Sequence, residues 1–412
     1  MRTLRMVAAV ALPVLALAFL VPVEAPCSAP VPEGDAAAVT VNAFAVDFYK
    51  QVRKPEGNLF FSPYSISMAL GMVYAAARGN TAAQMAKTMH FSPDQPEANK
   101  VCGALNAQIL AAGQKKAMEL NVANALWTEK SYPLLKEYLE AIRTDYQGGI
   151  RQVDFLHSPE SARETINGWV EEQTKDKIKD LLPPGAIDAA TRLVLANAIY
   201  FKGTWESPFM KELTQELRFT LLDGNEVKVP MMHRTDYFGY ADEAGLQVLE
   251  IPYKGGELAM IILLPSKDKT LEDFEHSVTR DKLGQWVEKL EMREVVVFVP
   301  RFKMTSDIRL RTALIGLGMT DAFSPSQADF SGMTGNNKDL FIGEGFHKAF
   351  VEVNEKGTEA TAATGIGMLA GMPQKRPAPS LVFRADHPFL FLIRHKPSNC
   401  ILFFGRVTDP SI

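Results

Sequence analysis

A chain of 412 residues that is 47% hydrophobic and 22% charged can bury one large core, and no Ser/Gly/Pro linker or charge block divides its middle. The formal net charge of -4 gives no electrostatic reason to expect nucleic acid or a strongly charged partner. Three cysteines, Cys27, Cys102 and Cys400, are too few and too unevenly spaced for a disulfide framework, although Cys102 and Cys400 could pair.

Residues 1–25 read as an export signal: Arg2 and Arg5, an uncharged run over 7–23, and Val23-Glu24-Ala25 as the cleavage site. The run is short for a membrane span and holds Pro13 and Pro22. Lipid attachment through Cys27 is not expected, because Glu24-Ala25-Pro26 poorly matches a lipidation box. A secreted, extracellular or periplasmic protein is therefore expected, with a Pro- and Ala-rich spacer over 26–38.

Helical periodicity over 39–53 places Val41, Phe44, Ala45 and Phe48 on one face. A short strand enters a turn at 58–63, and a helix over 65–77 is apolar on most faces, hence buried. A further helix over 81–89 takes Asn80 or Thr81 as its N-cap. Amphipathic helices over 97–111 and 133–146 flank a strand at 120–128, and another helix runs over 159–175. Strands then dominate. The near-continuous apolar run 192–201 reads as a central strand covered on both faces. Strands at 217–220, 227–230, 246–252 and 258–264 follow, with Asp223-Gly224 and Lys254-Gly-Gly256 as hairpin turns. Helical segments over 270–288, a strand at 295–302, a helix at 308–316, the stretch 341–353 with the loop after it, and strands at 388–394 and 400–407 complete the chain. The order favours an α+β domain with large, mostly antiparallel sheets.

One stretch fits none of these classes. Between Gly357 and Gln374 the sole charged side chain is Glu359, and the first half is almost entirely Gly, Ala and Thr. Its composition is that of a linker. Drawn as a strand, it places Thr358, Ala360, Ala362, Thr364, Ile366 and Met368 on one uncharged face, and Glu359 on the other. Such a segment can exist as an exposed loop or as an inserted strand.

Catalytic signatures are absent: no Gly-x-Ser-x-Gly elbow, no His-Glu-x-x-His helix, no Cys-x-x-Cys and no phosphate-binding Gly-x-x-x-x-Gly-Lys. The seven histidines show no metal-ligand spacing, so neither metal nor cofactor nor enzymatic turnover is expected. Gly365-Ile-Gly-Met-Leu-Ala370 matches the dinucleotide fingerprint. It runs into a Pro-rich segment that cannot continue as the helix the fingerprint needs.

Seven segments in order carry a family resemblance: Asn58-Leu-Phe-Phe-Ser-Pro-Tyr-Ser-Ile66, Leu195-Ala-Asn-Ala-Ile-Tyr-Phe-Lys-Gly-Thr-Trp205, Val299-Pro-Arg-Phe-Lys303, Leu317-Gly-Met-Thr-Asp-Ala-Phe323, His347-Lys-Ala-Phe-Val-Glu-Val-Asn-Glu-Lys-Gly-Thr-Glu-Ala360, Asp386-His-Pro-Phe-Leu-Phe391 and Leu402-Phe-Phe-Gly-Arg-Val407. From about Val39 onward the chain resembles the serpins, so a serpin domain is expected over 39–412. The resemblance implies an α+β fold of three β-sheets and eight or nine helices, with an exposed reactive-centre loop over about 355–380. It implies inhibition of a serine protease, or a cysteine protease, by a suicide-substrate route. The protease cleaves the loop and forms its acyl-enzyme, and the cut loop then inserts as a strand and drags the protease along. The 13 residues from Thr358 to Ala370 would span about 43 Å as a strand.

A hinge entering a sheet needs small, uncharged residues. Glu355, Gly357, Thr358, Ala360, Thr361, Ala362 and Ala363 match the inhibitory hinge, Thr361 standing where alanine is commoner. The alternative within the family is a non-inhibitory substrate, carrier or chaperone. Glu355 is expected to pair with Arg301. Ser62, Ser65, Asn197 and His347 match the region where the sheet opens, with Trp205 at its upper end. The family's usual loop length places the reactive bond at Gly371-Met372, with Ala370 or Lys375 as alternative cleavage positions. That favours elastase-like or subtilisin-like targets. No heparin-type activator is expected, since Lys100 is the only basic residue in the matching helix, and a monomer is expected.

Overall fold

A computed structural model describes residues 33–113, 118–146, 149–336, 339–358 and 381–411. The first half holds α1 (Glu33–Val52), β1 (Leu59–Phe61), α2 (Pro63–Tyr74), α3 (Gly79–Met89), α4 (Gln95–Gly113) and β2 (Met118–Glu129). Then come α5 (Lys136–Ala141), which runs into a π-helical turn (Ile142–Tyr146), β3 (Gly149–Val153) and α6 (Pro159–Gln173). Strands β4 (Leu193–Thr204), β5 (Gln215–Thr220), β6 (Glu226–Glu243), β7 (Leu246–Pro252) and β8 (Leu258–Pro265) follow. Helices α7 (Leu271–Ser277) and α8 (Arg280–Glu288) precede β9 (Glu291–Pro300), β10 (Phe302–Arg309), α9 (Leu310–Gly316) and α10 (Ser331–Thr334). The chain ends with β11 (Glu344–Asn354), β12 (Gly357–Thr358), β13 (Leu381–Arg384), β14 (Phe389–His395) and β15 (Cys400–Val407).

Local chemistry accounts for most of these elements. Val41, Phe44, Ala45 and Phe48 form the expected buried stripe of α1. The helix starts at Glu33, inside the stretch read as spacer, because Asp35 is followed by three alanines, the best helix formers. Every residue of α2 is buried; Pro63 opens it and Ser62 caps it, accepting from the Ser65 N–H. The expected cap of α3 is not made. Its N-cap is Arg78, because Asn80 donates to Asp321 at 2.6 Å and Thr81 accepts from the Asp329 N–H at 3.0 Å. Strands β3, β10 and β13 escape the periodicity reading.

Hydrogen bonding joins the strands into a nine-stranded sheet, β1-β15-β14-β8-β7-β6-β9-β13 with β5 on β6, and a six-stranded sheet, β10-β11-β12-β4-β2-β3. The long strand β6 divides the larger one. Residues 226–231 pair with β5 and 231–240 with β9, whereas 239–243 pair with β7. Counted on either side of β6, the strands make the three sheets expected. Ten α-helices occur among the described residues, α10 being a single turn. Cys102 and Cys400 are buried as free thiols, and burial pushes the Cys102 thiol up to about 12.

Candidate functional site

The six-stranded sheet has an unusual centre. β11 runs parallel to β4 from Glu344↔Val194 to Phe350↔Tyr200. Beyond that row the two strands are no longer direct partners. β11 turns back through Glu355 and Lys356 into β12, and Gly357 and Thr358 lie antiparallel to both neighbours, as Asn354↔Gly357↔Thr204 and Val353↔Thr358↔Gly203. The chain thus wedges its own two-residue strand between β11 and β4 at one end of their seam. Only glycine fits the first position: φ is +151°, and a Cβ on Gly357 would stand 1.9 Å from the Gly203 carbonyl oxygen.

The wedge is tied to both sides. Thr358 is fully buried, its hydroxyl 2.7 Å from that of Tyr253. Trp205 stacks on Tyr253 at 4.6 Å; its indole N–H donates to the Asn354 carbonyl at 3.0 Å and its backbone N–H to the Lys356 carbonyl at 2.9 Å. The Glu355 carbonyl accepts from the Phe209 N–H at 2.8 Å. The Glu355 carboxylate accepts from the Thr214 hydroxyl at 2.8 Å and lies 3.7 Å from Arg301 Nε. Hinge residues Ala360, Thr361, Ala362 and Ala363 and the reactive positions Ala370, Gly371, Met372 and Lys375 lie outside the described residues.

Below the wedge a polar network crosses the seam. Asn124 on β2, Asn197 on β4 and His347 on β11 share one row. The N-terminus of α2 lies against it. The Ser62 N–H donates to His347 Nε2 at 3.1 Å, so Nδ1 carries the proton and donates to Asn197 Oδ1. Asn197 Nδ2 donates to the Ser65 hydroxyl at 2.7 Å, to its carbonyl at 3.0 Å and to Asn124 Oδ1. The Ser65 hydroxyl donates to Asn124 Oδ1 at 3.0 Å, and the Ser62 hydroxyl to the Leu402 carbonyl at 2.6 Å. His347 is fully buried, and loss of solvent lowers its pKa to about 3, which keeps the ring neutral as this pattern requires.

The structure thus brings together Ser62, Ser65, Asn197 and His347, and separately Trp205, Arg301, Glu355, Gly357 and Thr358. Sequence reasoning missed Asn124, Tyr253 and Thr214. Asn124 carried a signal, an amide between two alanines in an apolar strand. Within this row a single side-chain hydrogen bond, from His347 to Asn197, joins β11 directly to β4, and the N-terminus of α2 bridges the same two strands through Ser62 and Ser65. Ser65 and Asn124 stay with Asn197, and Ser62 with His347.

A family model described as Serpin (serine protease inhibitor) matches residues 39–410. The bovine leukocyte elastase inhibitor is 46% identical over 378 residues, covering 89% of this chain and 97% of its own length. The human leukocyte elastase inhibitor is 45% identical over 379 residues, with the same two coverages. Among solved structures, uncleaved ovalbumin superposes with a TM-score of 0.80 at 34% identity, covering 91% of this chain and all of its own. Serpin48, a highly specific serpin in the insect Tenebrio molitor, gives 0.80 at 32%, covering 90% of this chain and 98% of its own.

These matches correct one expectation. The curated relatives are intracellular serpins without signal peptides. The reading of residues 1–25, which lie outside the described residues, as an export signal is therefore overturned, and with it secreted, extracellular or periplasmic placement. On the family match and the relatives near 45% identity, the chain belongs to the serpins, serine protease inhibitors that act as suicide substrates.

Proposed function

We propose that this serpin traps elastase-like or subtilisin-like serine proteases by offering Gly371-Met372 as the reactive bond, with no turnover chemistry of its own. The observation that carries the reading is the seating of Gly357 and Thr358 between β11 and β4. The same offset between β11 and β4 holds at the wedge and along the parallel seam. A growing strand would then part the two laterally, without sliding them. Carried on in that register, Thr364 would stand between His347 and Asn197, its hydroxyl offering one donor and one acceptor for the bond it replaces. Gly367 would meet Glu344 and Val194, the last row of the seam. A bond cut after Gly371 would then leave the acyl-enzyme at the far end of the sheet.

Glycine at the cleaved position suits a protease pocket that accepts small side chains, and the relatives' name, leukocyte elastase inhibitor, supports that class. Glu355 anchors the base of the hinge, and the Ser62, Ser65, Asn197 and His347 network marks where the sheet parts. Incubation with pancreatic elastase is expected to yield a covalent complex stable in SDS, together with a released C-terminal peptide beginning at Met372 by mass spectrometry. Complete cleavage without complex would assign a substrate role instead, and a different first residue would move the bond.

A further inference from the structure

Where β14 begins and β15 ends, a cleft of about 1090 Å³ opens that the inhibitory mechanism does not use. The end of α1, the 220–223 turn, the segment 265–272 and the residues flanking β14 and β15 wall it. Its volume suits a small organic molecule. Glu275, in its wall, is 2% exposed and is held by two guanidinium groups, Arg53 Nη1 at 2.6 Å and Arg406 Nη1 at 3.1 Å. The third partner, the Tyr49 hydroxyl, is neutral, so this cluster keeps one positive charge in excess where little water screens it. Arg406 is 2% exposed and turns its other N–H groups to the Glu56 and Gly57 carbonyls. The excess therefore reaches the cleft through Arg53, whose side chain is 17% exposed. A second cluster repeats the pattern. His387 donates from both ring nitrogens, to Asp386 at 2.8 Å and to the Pro265 carbonyl at 2.6 Å, which is the bonding of an imidazolium. Lys267 Nζ lies 3.0 Å from the other Asp386 oxygen, so two cations again share one carboxylate.

Lys50, Lys54 and Lys269 add positive charge to the same walls. The remaining acids, Glu56, Asp223, Asp268, Glu272 and Asp409, are all exposed except Asp409. Asp223 is turned to Asn225 and Asp409 to Ser411. Solvent screens exposed charges far more than buried ones, so the sign of the cleft is set by its two inner clusters. That sign is local, since the whole chain carries a net charge of -4. We propose that the cleft binds a small organic polyphosphate. Its phosphates meet Arg53 and the α1 lysines on one wall and Lys267 on the other, guanidinium and ammonium groups being the usual partners of phosphate oxygens. Its carbon skeleton lies along Leu221, Leu222 and Pro388. The inference does not depend on the reactive loop, so it goes beyond the inhibitory reading and stands apart from it.

The test titrates the full chain with ATP and, separately, with inositol hexakisphosphate, by calorimetry at about 0.15 M salt without added metal. One molecule per chain is expected to bind, and to raise the melting temperature of the native protein. Tighter binding of ATP would support a nucleotide as the occupant, and tighter binding of the other a phosphorylated ring; either outcome supports the proposal. Lys50→Gln/Lys54→Gln and Lys267→Gln/Lys269→Gln remove charge from opposite walls at exposed positions, so both variants should melt as wild type without ligand. Each should weaken binding about tenfold, and the loss should shrink as salt rises. Lys130→Gln/Lys136→Gln removes the same charge outside the cleft and should bind within twofold of wild type. Absence of binding by both ligands up to about 1 mM would overturn the proposal. So would equal losses in all three variants, because binding would then follow net charge and not this cleft. Failure to trap elastase would overturn the inhibitory reading alone, since ligand binding is measured without a protease.

Discussion

The two buried interfaces at the centre of this serpin are made differently. Between β14 and β15 every residue but Arg394 is buried and most are apolar, in continuous antiparallel register apart from one bulge. Phe403 stacks on Phe60 at 5.1 Å and Phe404 on Tyr49 at 4.4 Å. Between β11 and β4 the pairing is parallel, crossed by hydrogen-bonding side chains and split at one end by Gly357 and Thr358. Aromatic packing is specific to shape, so a strand cannot be driven through it without leaving cavities. Hydrogen-bond partners can be exchanged for others of the same chemistry. The contrast separates a core that must stay closed from a seam that must open.

The largest effect is expected at the wedge. Thr358 is fully buried against Tyr253, so Thr358→Arg would require an unpaired cation in the sheet. The variant should lose the SDS-stable complex with elastase entirely and be cleaved as a substrate. Undiminished complex formation would show that the seam does not receive the hinge. Next comes the closed core: Phe403→Ala should destabilise by about 3–5 kcal/mol in urea unfolding. The cleaved fraction of that variant that remains folded should still partition as wild type. A shifted partition would show that core and seam are one mechanical unit.

The seam itself should respond to acid. With a native pKa of about 3 and an unfolded value near 6.5, His347 is neutral when folded, so the unfolded chain binds the extra proton in between. Its contribution is therefore complete above about pH 6.5 and lost as pH falls toward 3, with a limiting slope of about 1.4 kcal/mol per pH unit. Between pH 6.5 and 5, above most carboxylate titration, wild-type stability should fall more steeply than that of His347→Gln. Parallel curves would mean that the ring can be charged within the fold.

Much of this was legible because polar residues stood out in apolar runs: Asn197 within β4, His347 at the start of an apolar stretch, Ser62 before a buried helix. The seven serpin segments supplied their order. Their partners were hidden, since Asn124, Tyr253 and Thr214 are chosen by register and packing between elements far apart in the chain. The alternation from Thr358 onward marked a possible strand, but that Gly357 and Thr358 already sit in the sheet as β12 was hidden, because two residues carry no periodicity. β13 has four residues and pairs with β9 across more than eighty positions of sequence, and no local pattern records that.

The smallest effect is expected at Arg301, and it tests whether the hinge base belongs with the seam or with the surface. Its side chain is 42% exposed and 3.7 Å from Glu355, the geometry of an ion pair that solvent screens. The Glu355 carboxylate keeps its bond to Thr214 when the guanidinium is removed. Arg301→Ala should therefore change stability by under about 1 kcal/mol and leave the stoichiometry of inhibition unchanged. Thr214→Val should cost more, because it leaves a carboxylate oxygen without its hydroxyl partner in a nearly buried site. If the order is reversed, the hinge base is held by charge, and raising salt from 0.05 to about 1 M should loosen it in the wild type by the same amount.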